Sequence, residues 1–224
     1  MDYFVKLKVN VKIWELKMIH QLQHPLVKDL VNRLRSSSTD AVTFQSLVAE
    51  LSRLLAYNAL SELPTPKKTI KTWRGNASYH FIEQDELVLV PILRAGLPML
   101  TGLTAMFSQS PNGFLAMRRD EQTHQAKTYY DRIPDCVGKT VVILDPMVAT
   151  GGSLNDAITL IKNKQPKNII SLNIIGSILG LKNIEDQHPD VEIYIGQIDE
   201  ELDSNMFIQP GLGDAGDRAF NTPE

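Results

Sequence analysis

The chain has 224 residues, enough for one α/β domain with a substantial core, and 23 Lys and Arg against 26 Asp and Glu leave a formal net charge of −3. That mild acidity argues against an electrostatic grip on nucleic acid, and no apolar run is long enough to cross a bilayer. The one cysteine, Cys136, excludes an internal disulfide, and Met1-Asp-Tyr-Phe-Val-Lys6 lacks the layout of a secretory signal, so a cytoplasmic protein is expected.

Residues 1–20 alternate apolar side chains with lysine, as an added strand or an arm outside the domain would. His20 and His24 have the spacing of two zinc ligands on a helix, but the glutamate of that motif is missing and Pro25 follows at once. Two surface histidines is the better reading. Leu26 to Arg35 predicts a short amphipathic helix. Thr39 or Asp40 then caps a longer one, with Phe44, Leu47, Val48, Leu51, Leu54 and Leu55 as its buried stripe. Leu63-Pro-Thr-Pro66 breaks the pattern, and Thr69–Trp73 and Ser78–Ile82 predict two strands around a turn.

Leu87-Val-Leu-Val-Pro-Ile-Leu93 predicts a buried strand that runs into Arg94-Ala-Gly96. An arginine ending a core strand is costly unless it meets an anion, and its planar fork suits a diphosphate better than a lysine would. A surface arginine at a strand end is the ordinary alternative. A further strand with arginines, Gly113 to Arg119, leads into a polar stretch reaching Tyr129-Tyr130, expected as a mobile lid.

The chain is organised around Val141–Ile158. Val141 to Leu144 reads as a strand buried on both faces, and Leu154, Ala157, Ile158 and Ile161 form a helical stripe. Between them, a glycine pair with flanking hydroxyls at a helix start can close backbone N–H groups around a phosphate. No lysine makes it a Walker loop, and no G-x-G-x-x-G stands at this junction. A carboxylate at the strand end followed by a phosphate cradle suits a sugar phosphate: Asp145 for ribose hydroxyls, Thr150 to Ser153 for the phosphate. Strands at Asn168–Ile175 and Val191–Ile195, around a helix from Ile178 to Asp186, complete a predicted parallel α/β sheet. Gly211-Leu-Gly-Asp-Ala-Gly216 spells the dinucleotide fingerprint, but too few residues follow it to build that site.

Asp145-Pro-Met-Val-Ala-Thr-Gly-Gly-Ser153 resembles the phosphoribosyl-pyrophosphate loop of type I phosphoribosyltransferases, in the single-acid form used by uracil phosphoribosyltransferases. Val90-Pro-Ile-Leu-Arg94-Ala-Gly-Leu97 is similar to the family's pyrophosphate loop, and Met206 to Thr222, above all Gly211-Leu-Gly-Asp-Ala-Gly-Asp-Arg218, resembles its uracil-binding hood. Asn221 stands where the family usually has glycine, a mild change because Asn tolerates left-handed geometry.

The resemblance implies an α/β fold, a parallel sheet flanked by helices, with a small C-terminal hood and a β-hairpin arm. Residues 1–23 would be an N-terminal extension, or follow a misplaced start with Met18 as initiator, and 24–224 the phosphoribosyltransferase domain. The implied activity joins uracil to phosphoribosyl pyrophosphate, giving UMP and diphosphate. Asp145, Arg94 and Arg119 would be catalytic, although Arg118 competes with Arg119 for its place, and a cis peptide is implied next to Arg94. Phosphoribosyl pyrophosphate would be bound by Arg94, Arg119, Asp145, Pro146, Met147, Val148, Ala149, Thr150, Gly151, Gly152, Ser153 and Asp214. Uracil would be bound by Ile208, Gly213, Asp214 and Ala215. Mg²⁺ would be held through the substrate rather than by direct ligands; GTP as an activator and a homodimer or larger assembly complete the implied set, with no nucleic acid and no membrane. Two alternatives stay open: transfer to another base, and an RNA-binding pyrimidine regulator on the same fold.

Overall fold

The computed structural model describes residues 16–119 and 126–222. The alternating stretch before Leu16 and the lid segment 120–125 lie outside the described residues, as do the side chains of Arg118 and Arg119.

The main sheet is built from β1 (Ile19–Gln21), β4 (Leu87–Leu93), β5 (Phe114–Arg119), β6 (Ala126–Arg132), β7 (Thr140–Leu144), β9 (Asn168–Ser177) and β10 (Glu192–Asp199), after the hairpin strands β2 (Lys67–Thr72) and β3 (Gly75–His80). Its order is β1-β10-β9-β7-β4-β5-β6, with the short β8 (Met147–Val148) pairing beside β9. All neighbours are parallel except β5 and β6.

Alternation sorts the strand side chains onto two helical layers. Leu87, Leu89, Val142 and Leu144 face α1 (Pro25–Arg35), α2 (Ala41–Ala59) and α3 (Leu97–Thr104). Val88, Val90, Val141 and Ile143 face α4 (Gly152–Lys162) and α5 (Ile178–Gln187). The expected stripe of α2 is buried as far as Phe44, Leu47, Val48, Leu51 and Leu55, with Leu54 partly so. Asp40 caps that helix through the Thr43 N–H, and His24 caps α1 through Leu26 N–H, so His24 has a local structural task.

One element differs from the sequence expectations. Tyr129 and Tyr130, expected within the lid, lie in β6, antiparallel to β5, because β-branched and aromatic residues there extend the sheet edge. Of the two readings of the N-terminal stretch, residues 16–23 take that of an added strand: β1 pairs with β10, Leu16 is buried, and the Met18 N–H donates to Glu185. The C-terminal segment, expected as a small hood, is built from the short strands β11 (Glu201–Leu202) and β12 (Ile208–Gln209) and a helix, α6 (Ala215–Phe220). Asn221 ends α6 at φ 52°, the left-handed geometry anticipated for it.

Candidate active site

In this strand order, chain connections diverge on either side of the β4–β7 pair, and the crevice beyond the strand ends at such a switch point is where α/β sheets bind ligands. Arg94 follows β4 and Asp145 follows β7, on neighbouring strands whose last pairing is Pro91 with Leu144. The two loops touch at Gly96: any Cβ there would run into the Leu144 carbonyl. Glycine is required so that both strand ends can converge.

The loop after β7 is held from behind. The Asp145 carbonyl accepts from Asn173 Nδ2 at 2.6 Å, and the Pro146 carbonyl from the N–H groups of Ile174 and Ile175. Ser177 Oγ and Asn183 Nδ2 donate to the carbonyls of Ala149 and Thr150. The Asp145 N–H is taken by the Leu172 carbonyl and Met147–Val148 pair with β9, so the N–H groups left for the crevice are those from Ala149 to the start of α4. Gly151 then takes φ 83° as N-cap of α4 and supplies no side-chain cap. The first-turn N–H groups of that helix therefore lack an internal acceptor, which makes a ready anion site. Pro146 and Val148 are buried, so those positions offer backbone only; Thr150 and Ser153 remain partly exposed, and Gly152 fully.

Asp145 is half-buried, and its carboxylate accepts one long hydrogen bond, from the Met147 N–H at 3.5 Å. Burial pushes its pKa up to about 7, while that N–H pulls the other way. A carboxylate so poorly supplied with donors is suited to accept them from a ligand.

Arg94 follows a cis peptide from Leu93, as anticipated. Its guanidinium reaches across to the hood: Nη2 donates to Asp217 at 2.7 Å and Nη1 to the Thr222 hydroxyl at 3.0 Å. The Thr222 hydroxyl and Arg94 together hold the Asp217 carboxyl below its usual range. Gly216 keeps this corner open, since a Cβ there would lie 3.2 Å from the Asp214 carboxylate and 3.7 Å from Arg94 Nη2. Asp214 caps α6 through the Asp217 N–H and is otherwise exposed beside Arg94. Arg119 ends β5, whose Ala116 pairs with Leu93, so its backbone sits at the same edge of the sheet.

Between this loop and the hood lies a cavity of about 440 Å³. Met147 and Ala149 form one wall; Phe207, Ile208, Pro210 and Gly213 are among the residues of the other. Of the residues expected to read a base, Ile208 and Gly213 line it, Asp214 stands at its rim in sequence, and the Ala215 methyl belongs to the core instead. Ala215 can offer only its main chain. Asp203, Asn205 and Leu212 also line the cavity and were not singled out from sequence; only their place within or just before the hood motif pointed to them. No three acids, histidines or cysteines converge as a metal cage among the described residues.

A model of the uracil phosphoribosyltransferase family matches residues 21–222. A uracil phosphoribosyltransferase from Aquifex aeolicus is 42% identical over 203 residues, 91% of this chain and 98% of that protein. One from Malacoplasma penetrans is 39% identical over 206 residues, 92% of this chain and all of its own. A solved structure of an Aquifex aeolicus protein, 42% identical, superposes with a TM-score of 0.88 over 91% of this chain and 98% of that one.

Proposed function

The chain belongs to the uracil phosphoribosyltransferase family, and from that premise we propose that it converts uracil and phosphoribosyl pyrophosphate to UMP and diphosphate. The observation that carries this reading is the shared wall: Met147 and Ala149 belong both to the loop that starts the anion-ready helix and to the cavity beneath the hood. A phosphate at the helix start and a flat base in the cavity would leave the ribose between them, next to Asp145.

In this reading the N–H groups at the start of α4 hold the 5-phosphate, helped by the hydroxyls of Thr150 and Ser153. Asp145 accepts from the ribose hydroxyls and fixes the anomeric carbon toward the cavity. Arg94, with Arg119 from the next strand, takes up the charge that grows on the leaving diphosphate as the C–O bond lengthens. The glycosidic C–N bond forms as the C–O bond to diphosphate breaks, and the N–H proton of uracil passes to the departing diphosphate or through it to water. The protein's contribution is chiefly positioning and charge stabilisation around an oxocarbenium-like state.

Phosphoribosyltransferases generally use Mg²⁺. The described residues fit an ion held by the substrate's own oxygens and water, with the exposed Asp214 carboxylate beside Arg94 as an outer partner. When bound, such an ion supplies charge neutralisation for the diphosphate. The same reading includes self-association and GTP as an activator; the hairpin β2–β3, with Trp73 and Tyr79 exposed, is a surface suited to the first. It also includes a cytoplasmic setting, with the buried Cys136 as a free thiol.

The direct test is formation of labelled UMP from labelled uracil, with and without phosphoribosyl pyrophosphate. Product that requires the second substrate is expected; product from hypoxanthine or orotate but not from uracil would sink the assignment.

A prediction follows for Asp145. Its raised pKa means the folded chain keeps a proton between about pH 4 and 7 that the unfolded chain has lost, so burial of this acid lowers stability as pH rises through that window. The ribose hydroxyls, as donors, favour the ionised form. The kcat/KM for phosphoribosyl pyrophosphate is therefore expected to rise through about pH 7. Asp145→Asn is expected to remove that limb, to lower kcat/KM by about 1.5–3 kcal/mol of binding, and to flatten stability between pH 4 and 7. An unchanged pH profile in the variant would take Asp145 out of this role.

A further inference from the structure

The turn that closes the base cavity is tied to the body of the protein by a buried ion pair that the reaction chemistry does not use. Arg35 is the last residue of α1, and Asp199 the last of β10. The two side chains are 18% and 5% exposed and meet through a two-pronged contact: Nη1 to Oδ2 at 2.8 Å and Nη2 to Oδ1 at 2.7 Å. The pair also captures both main-chain polar groups of Gly211. Arg35 Nη1 donates to the Gly211 carbonyl at 2.6 Å, and the Gly211 N–H donates to Asp199 Oδ2 at 3.1 Å. Gly211 itself is confined, with φ 60° and no room for a Cβ against the Ile208 carbonyl. The next carbonyl along, of Leu212, accepts from Arg218 at 2.7 Å, and Arg218 reaches Ser36 just past α1 at 2.6 Å.

Pro210, Leu212 and Gly213, the residues flanking this anchor, form cavity wall. We propose that Arg35 and Asp199 are positioning residues for the base: they hold the Pro210–Gly213 turn at the height at which its main chain meets the edge of uracil. The proposal rests on the reading of the cavity as the base site. Two features argue against a role in stability alone. A buried ion pair seldom adds stability over apolar side chains of similar volume, because desolvation offsets the attraction. Both terminal nitrogens of the guanidinium are engaged, one serving two acceptors in different elements, which a lysine ammonium on a flexible stem cannot reproduce with the same orientation.

The test is steady-state kinetics on Arg35→Lys and on the double variant Arg35→Met with Asp199→Leu, which removes both charges and keeps the site filled. Arg35→Lys preserves the charge pair and is expected to raise the KM for uracil about tenfold, as loss of a charge-assisted hydrogen bond would. Its kcat at saturating uracil is expected within about twofold of the parent, with the calorimetric Kd for phosphoribosyl pyrophosphate unchanged. The double variant is expected to raise the uracil KM at least as far, whatever its melting temperature, and it carries the test if the lysine variant does not fold. A uracil KM at the parental value in either folded variant overturns the proposal, as does an equal loss of affinity for both substrates. Gly213→Val separates this from the cavity reading. If it raises the uracil KM and the Arg35 variants do not, the positioning proposal alone is wrong; if none of the variants changes it, the base does not bind in this cavity.

Discussion

Removal of residues 211–224 is expected to reduce UMP formation to background while phosphoribosyl pyrophosphate still binds. The segment contains Leu212 and Gly213 of the cavity wall and Asp214 beside Arg94. The hydrogen bonds that brace the loop after β7 do not come from it: the loop carbonyls are held by Asn173, Ile174, Ile175, Ser177 and Asn183, and α4 packs on the opposite face of the sheet. The deletion is also expected to lower stability. Leu212, Ala215 and Ala219 are almost fully buried against the α1–α2 layer, and a buried leucine alone contributes about 1.5–3 kcal/mol. Against a total of about 5–15 kcal/mol the domain is expected to fold, with a reduced melting temperature. Calorimetry with phosphoribosyl pyrophosphate, circular dichroism and a UMP assay together give the result. UMP made at the parental rate by the shortened chain would mean that the base site lies elsewhere.

Gly151→Val is expected to have the opposite selectivity, damaging use of phosphoribosyl pyrophosphate first. At φ 83° a side chain is strained by about 1–2 kcal/mol before it meets anything. Here its Cβ would also lie 2.6 Å from the Gly180 carbonyl and 3.2 Å from Ile184 Cγ1. Gly180 cannot retreat, because it is itself packed against the Ala149 carbonyl, so the loop must move. Displacing the start of α4 by about 1 Å takes its N–H groups off the phosphate, and misplacement on that scale costs about a hundredfold in rate. A fall of about that size in kcat/KM for phosphoribosyl pyrophosphate is expected, with the fold retained. A variant that keeps the parental value would show that the loop does not have to hold this shape to bind.

The parts legible in the sequence were those with a local signature. Continuous apolar runs marked β4 and β7, apolar-rich runs marked most of β9 and the first half of β10, and a 3.6-residue stripe marked α2 and α4, since burial on both faces or on one face leaves its pattern along the chain. The positions of Arg94 and Asp145 just past the buried strands β4 and β7 were readable from those apolar runs, while the roles expected of them came from the resemblance of the loops they start. What stayed hidden depends on residues distant in sequence. β6 lacks strict alternation and is defined by pairing with β5. α6 spans only six residues, too short for a stripe, and is held by the Asp214 cap and by core contacts of Ala215 and Ala219. The Arg35–Asp199 pair joins positions 164 residues apart, and nothing near either one announces the other. The apolar cavity walls likewise come from two segments about sixty residues apart, so no single window of sequence holds the base site.

The position of the hood in the chain has a bearing on biosynthesis. A polypeptide emerges from its N-terminus, and domains fold largely in that order. The loop after β7, the strands that brace it and the α4–α5 layer are all complete by Asp199, whereas the turn at Pro210–Gly213 and the helix that fastens it follow it in the chain. Until they are released, Arg35 lacks its Gly211 partner, and the apolar face of α1 and α2 that receives Leu212, Ala215 and Ala219 is open to water. A nascent chain paused before Pro210 would thus combine a fully braced β7–α4 loop with an exposed apolar groove, the kind of surface on which chaperones act. Residues 210–222 both seal that groove and complete the cavity wall, so the cavity takes shape in the same step that buries the apolar face of α1 and α2.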